Sequence, residues 1–120
     1  MKALIIEDSA LMRHTIKSLL LKLGHEVAGE VADSAGAVKA YAALKPEVVF
    51  LDLILPGKSG IEVFKEIRAI DPGARLIIVT AVEQEEIDRD LSDNGATAIL
   101  RKPFSYEEFK AVIDRVITLL

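Results

Sequence analysis

Residues 48–60 read VVFLDLILPGKSG, and Asp52 decides how that stretch is to be understood. From 48 to 55 every other residue is apolar. An ionised carboxylate taken out of water without partners is very costly, so Asp52 belongs where a buried strand ends and something compensates its charge. The run leading up to it, EVVFL (47–51), has three counterparts: ALII (3–6), RLIIV (75–79) and TAIL (97–100). All four predict buried strands. A fifth run, HEVAGEV (25–31), alternates more, as a strand nearer a sheet edge does.

Helical spacing fills the intervals. Met12, Ile16, Leu19, Leu20 and Leu23 share one helix face, which Gly24 can end. A second helix is predicted from about Ser34 to Lys45, where Pro46 stops it. A third covers SGIEVFKEIRAI, with Ser59 as its cap, Ile61, Phe64, Ile67 and Arg68 at helical intervals, and Asp71-Pro72-Gly73 as the turn beyond. The fourth, EQEEIDRDLSDNG, is weakly amphipathic, with Ile87 and Leu91 as its main anchors. The fifth opens on Ser105 and Glu108, the S-x-x-E form of a capping box, and carries Phe109, Val112, Ile113 and Val116. The order βαβαβαβαβα, without linker or repeat, predicts one domain over 1–120: a parallel sheet covered on both faces, in three layers.

Composition narrows the function. Half the chain is hydrophobic (51%), enough for a packed core. Net charge is −4 with Lys and Arg scattered, and aromatic residues are few, so direct binding of nucleic acid is not expected. The absence of cysteine excludes disulfides, thiolate metal sites and a Cys nucleophile. The opening MKALIIEDSALM meets Glu7 and Asp8 too soon for a signal peptide, and no run reaches membrane-spanning length. The expectation is a cytoplasmic domain without membrane insertion.

Each of the four buried runs is followed by polar chemistry. Glu7 and Asp8 follow the first, Asp52 the second, Thr80 the third and, after Arg101, Lys102 the fourth. Ligands of open parallel sheets bind at the carboxyl ends of strands, where strand order reverses. Taken singly, Glu7 or Asp8 reads as a helix cap, Thr80 as a strand-end residue and Lys102 as a surface lysine. Taken together, three carboxylates, a hydroxyl and an ammonium converge on one sheet edge. Carboxylates so close oppose one another's ionisation, and a hard divalent cation such as Mg²⁺ resolves that conflict. A carboxylate beside a metal and a lysine is a competent acceptor for a phosphoryl group.

In these residues the chain resembles the receiver domain of two-component response regulators over essentially its whole length. The matching features are Glu7-Asp8, Asp52 followed by Pro56 and Gly60, Thr80-Ala81, and Lys102-Pro103-Phe104. The resemblance implies a flavodoxin-like sandwich with strand order 2-1-3-4-5 and five helices on two faces. It implies that Asp52 accepts phosphate from a phosphohistidine on a sensor histidine kinase or phosphotransfer protein. Mg²⁺ would be held by Glu7 (through water), Asp8, Asp52 and the backbone carbonyl of Ile54. Thr80 would shift toward the phosphoryl group, Lys102 would pair with it, and the Lys102-Pro103 peptide would be cis. Such a protein catalyses its own phosphorylation and slow dephosphorylation, and passes the signal to an output partner.

Two departures stand out. Three residues before the lysine the family usually carries an aromatic or His; here it is Ile99. Ile54 and Val82 flank the acceptor where polar side chains are common, which predicts a long-lived phosphoryl state. Leu11 is expected to be exposed and to contact the phosphodonor, while Met12 shares the core stripe. The output surface is expected on the fourth helix, last strand and last helix, with Tyr106 in it. His14 and His25 read as structural. PGKSG lacks the first glycine of a P-loop, since Asp52 stands there. Two rival readings are a phosphorylation-independent interaction module, favoured by Ile99, and a Mg²⁺-dependent phosphohydrolase. The latter needs a second acid/base carboxylate near Asp52, where the chain has Ile54.

Overall fold

The computed structural model describes residues 1–119. Its strands are β1 (Lys2–Ile6), β2 (Glu26–Val31), β3 (Val48–Leu51), β4 (Leu76–Thr80) and β5 (Ala98–Arg101). Between and after them run α1 (Ala10–Lys22), α2 (Ala37–Leu44), α3 (Gly60–Ile70), α4 (Glu85–Asp93) and α5 (Tyr106–Leu119). All strand pairs are parallel, in the order β2-β1-β3-β4-β5. Strand order therefore reverses between β1 and β3, which opens a crevice at their carboxyl ends.

Alternation along the strands divides the core into two layers. Leu4, Ile6, Val49, Leu51, Leu76 and Ile78 face a cluster with Tyr41, Val63, Phe64, Ile67 and Leu91 of α2, α3 and α4. Ala3, Ile5, Val48, Phe50, Ile77 and Val79 face Ile16 and Leu20 of α1 and Phe109, Val112, Ile113 and Val116 of α5. Phe50 and Phe109 stack with ring centroids 5.6 Å apart. Each such ring contributes about 1.5–3 kcal/mol by burial. The expected three layers, strand order and five helices are all present.

Details differ from the sequence expectation in three places. The cap of α1 is Ser9, whose side chain accepts from the Met12 N–H, so neither Glu7 nor Asp8 caps the helix. The second helix begins at Ala37 and not near Ser34, because the Ser34 hydroxyl is committed elsewhere: it donates to the Pro56 carbonyl (3.0 Å) and accepts from the Lys58 N–H (2.7 Å). TAIL contributes only Ala98–Leu100 to β5, on the far edge of the sheet, and its Thr97 and Ile99 are only partly covered. The capping box is as expected: Ser105 N–H donates to Glu108 Oε1 and Glu108 N–H to Ser105 Oγ, both at 3.1 Å.

Candidate functional site

Strand register builds the site. Ile6 of β1 lies opposite Leu51 of β3, so Glu7 and Asp52 leave neighbouring strands side by side. Backbone bonds hold both: Asp52 N–H donates to the Ile6 carbonyl at 3.0 Å, and Glu7 N–H to the Val31 carbonyl at 2.9 Å. Thr80 lies opposite Arg101, and Lys102 N–H donates to the Thr80 carbonyl at 2.9 Å. Beyond Asp52 the loop turns back tightly into α3. A Cβ on Gly60 would stand 2.0 Å from the Asp52 carbonyl oxygen, so only glycine allows that approach. Ser59 caps the helix by accepting from the Glu62 N–H.

The three carboxylates and the Lys102 ammonium lie together, with Thr80 at the end of the neighbouring strand β4. Carboxylate oxygens of Glu7, Asp8 and Asp52 all lie within 4.8 Å of one another. Glu7 is 2% exposed and Asp52 6%, whereas Asp8 is open to solvent. The Lys102 ammonium donates to Asp52 Oδ2 at 3.0 Å and also to Glu7 Oε1. Asp52 Oδ1 accepts from the Ile54 N–H at 3.2 Å. Thr80 is fully buried, and its hydroxyl accepts from the Val82 N–H at 3.1 Å.

Charge is unevenly compensated. Burial first, and the neighbouring Asp52 carboxylate next, push the Glu7 carboxyl up to about 7, against the pull of Lys102. Burial alone would lower Lys102, but its hydrogen bonds to Glu7 and Asp52 outweigh that and hold it above its usual value. One ammonium thus bonds two of three clustered carboxylates, and among the described residues Glu7 Oε2 is buried with no hydrogen-bond partner. An all-oxygen donor set with an orphaned buried carboxylate oxygen fits a hard divalent cation such as Mg²⁺.

Other expected residues fall as follows. Leu11 is 77% exposed and Ile54 61% exposed. Met12 is half-buried against the α1–α5 side of the core, and Val82 and Ile99 against the opposite side. Tyr106 is half-buried, with the Lys22 ammonium 4.4 Å from its ring centroid. Leu91 is the buried anchor of α4 and Ile87 is only partly covered. His14 is exposed on α1, and His25 is half-buried beside the terminal amine of Met1. The Lys102-Pro103 peptide is cis.

Two arginines at the site escaped the sequence reading. Arg13 of α1 donates to the carbonyls of Glu7 (2.7 Å) and Asp8 (3.0 Å). Arg101 of β5 donates to the Val82 carbonyl and pairs with Asp88 of α4. Arg13 carried one usable signal, a cation near a helix N-terminus where the macrodipole disfavours it.

Residues 3–114 match the family described as the response regulator receiver domain. The chain belongs to that family, the receiver domains of two-component response regulators. It is 36% identical to the chemotaxis protein CheY of Thermotoga maritima over 115 residues, 96% of each chain. A LuxR-family two-component response regulator from Aurantimonas superposes with a TM-score of 0.90 at 27% identity, covering 98% of this chain and 84% of that one. The CheX–CheY–BeF3–Mg complex from Borrelia burgdorferi matches with a TM-score of 0.89 at 26% identity, covering 98% and 87%. Receiver domains use Mg²⁺ at an acidic pocket, and the cluster of Glu7, Asp8 and Asp52 fits that use and the phosphorylation site. Among the described residues no helix is long and apolar enough to cross a membrane.

Proposed function

We propose that the protein is a phosphorylation-dependent signalling switch, one domain over 1–120, in which Asp52 takes a phosphoryl group from a histidine kinase or phosphotransfer protein. The observation that carries this reading is the Lys102 ammonium 3.0 Å from Asp52, within a trio of carboxylates of which one buried oxygen lacks a partner. In the transfer the N–P bond of a phosphohistidine breaks, a P–O bond to Asp52 forms, and the imidazole leaves. Glu7, Asp8, Asp52 and the Ile54 carbonyl would hold Mg²⁺. Bound there, the ion supplies positive charge to the phosphoryl oxygens.

The chain's own groups do the rest. Lys102 balances charge at the acceptor and orients its carboxylate. The Thr80 hydroxyl accepts from Val82 and keeps its own hydrogen for a phosphoryl oxygen. Movement of Thr80 would draw on the N–H of Val82, a residue whose carbonyl is held by Arg101, itself paired to Asp88 of α4. With one buried anchor, α4 is an element that shifts at small cost, so α4, β5 and α5 form the output face for a downstream partner. A cytoplasmic placement goes with this reading, as is usual for receiver domains.

Ile99 favours a second reading, a receiver-fold interaction module that works without phosphate. Incubation with Mg²⁺ and acetyl phosphate followed by intact-mass spectrometry separates the two. The wild type should gain one labile phosphoryl group, retained after donor removal because Ile54 and Val82 hinder water, and Asp52→Ala should gain none. No adduct on the wild type would leave the interaction module as the better account.

A further inference from the structure

The backbone around the acidic pair is clamped from two sides. The Glu7 N–H is taken by the Val31 carbonyl of β2, while the Glu7 and Asp8 carbonyls are both taken by Arg13. Arg13 is in turn braced: its Nε lies 3.7 Å from Glu30 Oε1, and Lys17 lies at 3.7 Å from the other oxygen of Glu30. The planar guanidinium holds both carbonyls through Nη1 while its Nε is turned to Glu30, an arrangement that a shorter, point-charge lysine ammonium does not reproduce. Its place is otherwise unfavourable. Arg13 stands near the N-terminus of α1, where a cation opposes the macrodipole, and it lies beside a site that must attract a cation.

We propose that Arg13 is a positioning residue for the cation site: by bonding the two consecutive carbonyls it fixes where Glu7 and Asp8 present their carboxylates. The inference rests on the reading of that trio as the Mg²⁺ site. It goes beyond that reading by assigning a role to a side chain that touches neither cation nor phosphate. Geometry and charge predict opposite outcomes here. If Arg13 acted on the site only through its charge, removing it would tighten Mg²⁺ binding, because one repelling cation would be gone. If it acts as a strut, removing it loosens the peptide units that carry two of the ligands, and Mg²⁺ binding weakens.

The test is calorimetric titration of MgCl₂ into the unphosphorylated full chain, for wild type, Arg13→Ala and Arg13→Lys, with thermal melts in EDTA as the folding control. Arg13→Ala should bind Mg²⁺ about tenfold more weakly, in the range found when groups supporting metal ligands are removed. Arg13→Lys keeps the charge but loses the guanidinium braced by Glu30 that holds both carbonyls, and should also weaken binding, by a smaller factor. If Arg13→Ala does not fold, Arg13→Lys carries the test alone. A folded variant with wild-type or tighter affinity overturns the proposal, even if its EDTA melting temperature has dropped, since a merely structural role would move only the melt. A wild type that binds no Mg²⁺ overturns the cation-site reading first, and this inference with it.

Discussion

At the two ends of the sheet the chain handles partly buried charge in opposite ways. Helices here run back against their strands, so the C-termini of α2 and α3 lie at the end away from Asp52. There Asp71 accepts from the Tyr41 hydroxyl at 2.5 Å and from the Gly73 N–H at 3.0 Å. Beside it Arg68 donates to the carbonyls of Pro72, Ala74 and Gly95 at 2.6–2.7 Å, with only its Nε left unpaired. The hydrogen bond from Tyr41, above all, holds the Asp71 carboxyl below its usual value. At the other end burial holds the Glu7 carboxyl up near 7, and one of its oxygens has no partner. Apart from that Nε, the bonds of Tyr41, Asp71 and Arg68 form a network that fastens elements together. The rim around Asp52 is left open, and keeping Glu7 ionised there costs the fold something that a cation would offset.

The largest effects should come from exchanging one group at each end. Glu7→Gln should lower Mg²⁺ affinity by roughly tenfold or more, while melting in EDTA is unchanged or raised, because a crowded negative charge has gone. Asp71→Ala should do the reverse, costing about 1–2 kcal/mol of stability and leaving Mg²⁺ affinity alone. Titration and melts of both variants would break the contrast if Glu7→Gln proved the more destabilised of the two.

Tyr41→Phe sharpens it by pH. Removing the hydroxyl should cost about 1 kcal/mol at neutral pH. The folded Asp71 carboxyl lies below its ordinary 3.8, so its contribution is present above that value and is lost as pH falls through the folded one. Burial and the bond to Asp71 push Tyr41 up to about 12, so its contribution is present below its ordinary 10.0 and fades as pH rises toward 12. Urea denaturation should therefore show the gap between wild type and Tyr41→Phe constant from about pH 5 to 9 and narrowing below about pH 4. A gap that widens in acid would contradict the assignment.

Leu11→Ala should have the smallest effect. A side chain 77% exposed contributes little to stability, so the unfolding free energy should shift by less than about 0.5 kcal/mol. Labelling by acetyl phosphate should be unaltered, while transfer from a phosphohistidine protein should slow. Equal slowing with both donors would remove Leu11 from the docking face.

The sequence was most legible where hydrophobic period and strand-end chemistry agree. Four apolar runs, each followed by a polar residue, foretold β1, β3, β4 and β5 and the meeting of Glu7, Asp8, Asp52 and Lys102, with Thr80 ending the strand beside β3. It was least legible where one side chain serves a distant backbone. Ser34 looked like a helix start, yet its hydroxyl ties the β2–α2 loop to Pro56 and Lys58. Arg68 followed the apolar face of α3 but joins three carbonyls across two turns, and Arg101 bonds to Val82 and Asp88, which no local spacing announces. Periodicity reports which face is buried. It does not report which carbonyl a long cationic side chain will find once the loops are in place.

The most direct measurement is borohydride trapping. Protein treated with Mg²⁺ and acetyl phosphate, then with borotritide, should yield tritiated homoserine at position 52 and nowhere else, since reduction of an acyl phosphate leaves the alcohol. Label at Glu7 or Asp8, or none in a folded protein that binds Mg²⁺, would contradict the account.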